Sequence, residues 1–153
     1  MGTHADISRT IIEALYEEAL LLADEVRATF DLSQGCLPKH EHDFARIALS
    51  VEGLRTTTRV MHALAWLLNR RAHFNGEMSE FQLRRYGTLP PDRPADPDNL
   101  CYLPAQICDL IRTSERLHAR IARLDRAWRD SFEMRPAAVL RLRERLGRAV
   151  GET

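Results

Sequence analysis

Residues 53–79 read GLRTTTRVMHALAWLLNRRAHFNGEMS, and the fold turns on how that stretch is read. It forms the second half of one long helix expected from about Glu41 to Gly76. Apolar or small side chains recur at Phe44, Ile47, Val51, Leu54, Thr58, Met61, Ala65, Leu68 and Ala72, at intervals that alternate three and four without a slip. That is the seam of a helix packed along its length against others. At about 100° per residue, Ala45, Leu49, Val60, Ala63, Leu67 and Phe74 form a second apolar stripe, roughly opposite the first. A helix in a small bundle offers its neighbours one broad face, so a second stripe predicts a second partner, most simply another copy of the chain. Val60, Ala63 and Leu67 are the expected dimer interface.

A narrow polar stripe is left over: Glu52, Arg55, Arg59, His62, Arg70 and His73, with Trp66 in its middle. Tryptophan among cations at helical spacing suits a cation–π contact and is also a common interface anchor. Simple packing at the edge of the core is the plainer alternative. The expected partner-binding residues are Arg55, Arg59, Trp66, Arg70 and Arg71.

Working outward, a first helix should start near Ser8 or Thr10, where Thr10 and Glu13 have capping-box spacing. Its core side reads Ile11, Leu15, Ala19, Leu22 and Val26, widened by Ile12 and Leu20. Gly35 and Pro38 mark a loop over 29–39. Past Gly76, a suitable left-handed helix cap, Ser79 and Gln82 make a second capping box and predict a short helix over 78–86. Pro90, Pro91, Pro94 and Pro97 stiffen a connector over 87–99 that returns the chain along the bundle. Pro104 suits the first turn of a third long helix. Ile107, Leu110, Ser114, Leu117, Ile121, Leu124 and Trp128 again keep three-four spacing. Pro136 breaks that pattern, so residues 7–132 form the expected domain. Residues 133–153 form a basic tail, a frayed or loosely docked helix. The architecture predicted is all-α: an antiparallel three-helix bundle with a long central helix, a short extra helix and a basic C-terminal tail.

Composition narrows the function. The chain has 153 residues, with 22 basic and 22 acidic side chains, so no global field draws it to nucleic acid or membrane. The charge is nonetheless uneven: residues 1–31 hold seven acids against two arginines, and residues 104–153 hold eleven arginines against seven acids. Acidic first and basic third helices lying side by side satisfy each other. Cys36, Cys101 and Cys108 lack metal spacing and fit reduced thiols in a cytoplasm. The N-terminal residues lack the apolar core of a signal peptide, and no apolar run reaches transmembrane length.

No constellation supports catalysis or a cofactor. His40 and His42 point about 200° apart on a helical wheel and lack further ligands, so no metal site is expected. There is no nucleophile elbow and no glycine-rich phosphate loop. Carboxylates sit singly on helix faces rather than as an acid–base pair. Arg112, Arg116, Arg120 and Arg123 line one side of the third helix and make nucleic-acid binding the alternative function. Asp109 and Asp130 border them, which favours a solvated, ion-paired face.

The long helix also carries a resemblance. An LTTR-like turn (Arg55 to Arg59), a Trp-Leu-Leu (Trp66 to Leu68), arginines 70 and 71, and a GEMS (Gly76 to Ser79) together resemble the bacterial family of the regulator of CtrA degradation, RcdA. Leu103–Pro104 before the third helix and Arg-Leu-Asp-Arg at 123–126 extend the likeness to about residues 7–128. The resemblance implies a three-helix-bundle homodimer that does no chemistry. Such a protein acts as an adaptor in regulated proteolysis, helping deliver substrates such as a cell-cycle response regulator to the ClpXP protease alongside a partner adaptor.

Overall fold

In the computed structural model, the backbone is described for residues 3–35 and 43–151, and side chains for 8–31, 44–131 and 140–147. All regular structure among them is helical: α1 (Thr3–Gly35), α2 (Asp43–Phe74), α3 (Glu80–Tyr86), α4 (Pro97–Leu100) and α5 (Ala105–Gly151). The chain divides into two compact units, Met1–Ile121 and Ala122–Thr153.

The first unit is built from α1, α2 and the start of α5. α1 buries Ile12, Leu15, Ala19, Leu22, Val26 and Phe30, a three-four ladder that follows the predicted stripe. Ile12 rather than Ile11 forms its first rung. α1 and α2 run antiparallel. At one end Arg9 donates to the Asn75 side chain (3.0 Å) and Arg71 to Glu13 (2.9 Å). At the other end the Phe30 ring lies where a β-carbon on Gly53 would sit, 2.9 Å from its nearest carbon. Glycine in mid-helix costs about 1 kcal/mol relative to alanine; here it permits that close approach.

α2 ends as predicted. Gly76 takes the left-handed conformation, φ 78°, and its N–H donates to the His73 carbonyl. The capping box of α3 forms in both directions: Gln82 N–H donates to Ser79 Oγ and Ser79 N–H to Gln82 Oε1. α4 lies inside the proline-rich connector, with Pro97 in its first turn and Asp96 capping it through Asp98 N–H. That single turn escapes prediction because it is too short for any periodicity.

The contacts of the connector correct the expected antiparallel arrangement. Pro90 meets His118, Asp92 and Arg93 meet Arg59, Ala95 meets Glu115, and Asp96 and Asn99 meet Glu52. Along the connector the paired positions therefore descend in both α2 and α5. The connector runs antiparallel to both helices, so α2 and the first part of α5 run in the same direction. A tight turn would force antiparallel neighbours; an extended stretch of chain running back along the helix lifts that constraint.

α5 buries Ile107, Cys108, Leu110, Ile111, Ser114, Leu117, His118 and Ile121, close to the predicted ladder. In the second unit the same helix continues to Gly151. Pro136 does not end it, so the separate or frayed tail helix is corrected to a continuation of α5. An internal proline removes one hydrogen bond and bends the helix, but arginine, leucine, alanine and glutamate on either side favour the helical state. Leu140, Leu142 and Leu146 are exposed there between arginines.

Candidate partner interface

The two faces of α2 exchange the roles that periodicity assigns them. Phe44, Ile47, Leu54, Met61 and Leu68, rungs of the stricter ladder, are 47–73% exposed. The buried face carries Ala48, Leu49, Val60, Ala63 and Leu67 together with Glu52, Thr56, Arg59, Trp66 and Arg70. Five charged or polar-tipped side chains thus share the core side of one helix.

Two of them clamp the connector. Glu52 is fully buried, and its Oε1 accepts from Arg55 Nη1 (2.8 Å), Asn99 Nδ2 (2.8 Å) and the Asp96 N–H (3.2 Å). Its Oε2 and the Thr56 hydroxyl, one turn on, have no hydrogen-bond partner among the described residues. All three nitrogens of Arg59 donate: Nε to Asp92 (2.8 Å), Nη1 to Ser114 Oγ (2.9 Å) and Nη2 to the Arg93 carbonyl (2.8 Å). Glu115 lies 3.6 Å from the same guanidinium and accepts the Ala95 N–H. A planar, permanently charged fork suits this task, because one side chain satisfies a carboxylate, a hydroxyl and a carbonyl at once. Below it His118 Nε2 lies 3.2 Å from the Pro90 carbonyl. A carbonyl only accepts, so Nε2 carries the proton. Burial holds the His118 imidazole below the ordinary histidine range, with Arg59 and His62 pushing the same way and Asp92 and the Pro90 carbonyl opposing.

Farther along α2, the Arg70 guanidinium lies over the Trp66 ring, 4.8 Å from its centroid. The cation–π contact read from spacing is present, but inside the fold. Arg71 pairs with Glu13 and stacks on Tyr16, 4.1 Å from the ring centroid. The bond to Glu13 raises its pKa further above the ordinary arginine value.

The predicted site residues therefore separate. Arg59, Trp66 and Arg70 are buried, which corrects their expected role as surface contacts: unpaired charge under the connector would be costly, so the fold places its cations where carboxylates, carbonyls and an aromatic face await them. Val60, Ala63 and Leu67 are at most 3% exposed within one chain, which corrects their assignment to a dimer seam, since their surface is already spent inside the fold. Arg55 and Arg71 remain partly exposed. Sequence reasoning missed Asp92, Asn99, Glu115 and His118, although the acids of the connector (Asp92, Asp96, Asp98) were a signal that it lies against arginines.

A family model described as "Protein of unknown function (DUF1465)" matches residues 3–150. The chain belongs to the DUF1465 family. Among solved structures, this DUF1465 protein is similar to RcdA from Caulobacter crescentus CB15, at 28% sequence identity and a TM-score of 0.60. The similarity covers 76% of this chain and 90% of that one, in agreement with the resemblance carried by α2. No curated protein matches the chain.

Other chemistry is sparsely represented in this DUF1465 chain. Among the described residues no three histidine, cysteine or acidic groups gather to hold a metal; His40 and His42 lie outside them. No helix among the described residues is long and apolar enough to cross a membrane. Cys101 is exposed and Cys108 buried, both as free thiols.

Proposed function

We propose that this protein is a non-enzymatic adaptor of regulated proteolysis, acting in the bacterial cytoplasm as a homodimer. It helps deliver substrates, a cell-cycle response regulator among them, to the ClpXP protease. One observation carries the reading: a helical fold similar to that of RcdA leaves a ladder of apolar rungs, broken by Thr58, on the outside of its central helix. From Phe44 to Leu68 the ladder spans about 36 Å at 1.5 Å rise per residue. Monomeric proteins rarely leave so long an apolar strip in water. Its strict three-four register is that of a coiled-coil seam, and a second copy presents the same seam. The expected dimer interface moves accordingly from Val60, Ala63 and Leu67 to Ile47, Leu54, Met61 and Leu68.

Arg55 and Arg71, the two predicted contact residues that keep exposed surface, are the contacts proposed for partners. Tethering a substrate near its protease raises the local concentration and turns weak encounters into productive ones without new chemistry. Nucleic-acid binding through α5 has less support, because Arg112 lies against Asp109 and Arg120 against Glu18.

The test joins light-scattering mass with reconstituted degradation. The wild type should have twice the chain mass and accelerate ClpXP degradation of a response regulator when the partner adaptor is present. A monomer with no effect on degradation would remove the adaptor reading.

A further inference from the structure

A groove of about 300 Å³ opens beside the outer ladder, between α2 and the connector, lined by Leu54, Arg55, Thr58, Arg59, His62, Pro91, Asp92 and Arg93. Its floor is settled: Arg59 and Asp92 satisfy one another, and every nitrogen of that guanidinium already donates. Its rim is not. Arg55 gives one N–H to Glu52 of the five an arginine carries, and its side chain stays partly exposed at the groove. Arg93 is exposed, holds the connector only through its carbonyl, and makes no ion pair among the described residues. The Thr58 hydroxyl and the His62 ring complete the polar wall, while exposed Pro91 supplies an apolar one; Leu54, at the edge, belongs to the proposed dimer seam.

We propose that this groove binds the carboxylate of an aspartate or glutamate side chain in an extended peptide, seated beside an apolar neighbour. Three arginines line it; Arg59 is neutralised by Asp92 and Arg55 shares its charge with Glu52, which leaves Arg93 as the cation without an ion pair among the described residues. A guanidinium pairs best with a planar carboxylate through two parallel hydrogen bonds. Asp92 in the groove and Glu115 close behind Arg59 oppose a doubly charged phosphate. Pro91 gives the flanking apolar residue a surface that a free inorganic anion would not use. The inference takes from the adaptor reading its choice of a peptide, and adds the chemistry by which a substrate or partner segment is recognised.

The probe is a capped octapeptide, Gly-Ser-Leu-Asp-Glu-Leu-Ser-Gly, titrated into the full nitrogen-15-labelled chain and compared with the same peptide carrying Asn and Gln. Shift changes should cluster at residues 54–62 and 91–93, and the amide peptide should bind at least about tenfold more weakly, the loss of one charge-assisted pair. Arg93→Glu, on an exposed side chain, should keep the melting temperature, weaken the acidic peptide by about tenfold or more, and prefer a lysine-bearing peptide. Equal binding of acid and amide peptides, shifts elsewhere, or an Arg93→Glu protein that binds as wild type would each overturn the proposal. So would displacement of the peptide by inorganic phosphate at equal concentration, which would assign the groove to a free anion. The degradation assay separates the two readings. A protein that stimulates ClpXP yet binds neither peptide loses the groove and keeps the adaptor. One that binds the acidic peptide but never affects degradation keeps the groove and loses the adaptor.

Discussion

The two long faces of α2 make an instructive pair. One is apolar, strictly periodic and exposed; the other is interrupted by Glu52, Thr56, Arg59 and Arg70, and is buried. Hydrophobicity alone would turn the helix the other way. The deciding factor is what lies opposite. The inner face meets a connector whose carbonyls, amides and carboxylates match its charges, and a charge-bearing core is tolerable when each group finds its partner. Among the described residues the outer face has no such complement, and the proposed dimer seam lies there.

This contrast is most directly broken at Arg59. Arg59→Ala strands Asp92, Ser114 and the Arg93 carbonyl, so urea denaturation should show a loss of about 3–5 kcal/mol. A loss below about 1 kcal/mol would mean that the clamp behaves as a surface ion pair and that the inner face is held by its apolar rungs alone. The next largest effect is expected at the α1–α2 approach. Gly53→Ala gains helix propensity but pushes a methyl group onto the buried Phe30 ring, and overpacking of this kind costs about 1–3 kcal/mol. A more stable variant would show that the helices have room to separate.

The third prediction concerns pH. The folded-state pKa of His118 is lowered, so on acidification the unfolded chain binds a proton before the native chain does. Its contribution is complete above the unfolded value of about 6.5 and is lost as pH falls from there toward the folded value. Stability should fall across that window by up to about 1.4 kcal/mol per pH unit from this one group, and His118→Gln should flatten the slope between pH 7 and 5. An unchanged slope would assign the acid sensitivity to other groups. The smallest effect on the isolated fold is expected on the outer face. Leu54→Glu with Met61→Glu should alter monomer stability by no more than about 0.5 kcal/mol yet reduce the light-scattering mass from two chains to one. A double variant that unfolds would place those side chains in the core after all.

Much of the fold was legible in the sequence. The three-four ladders of α1 and α5, the glycine cap at Gly76 and the capping box at Ser79 are local features, set by side-chain spacing and by hydrogen bonds within a few residues. The break expected at Pro136 failed because a proline's cost is local and the flanking turns outweigh it. The site was less legible. Arg59, Trp66 and Arg70 look like surface residues because burial of a charge depends on partners far away in the chain: Asp92, Ser114 and Glu115 lie 33 to 56 positions from Arg59. Spacing along a helix cannot report them.

The sequence by itself determined the centres of the three long helices and the short helix after Ser79, that α2 carries two apolar stripes and a polar one between them, and that the chain resembles RcdA, because each follows from residues near in sequence or from a motif that can be read letter by letter. Only the tertiary structure decided which face of α2 turns inward, that α5 runs parallel to α2, and that the connector lies clamped against both. A helix can present either side to its neighbours, and the choice between them is made by the polar groups that the returning chain brings within hydrogen-bonding distance.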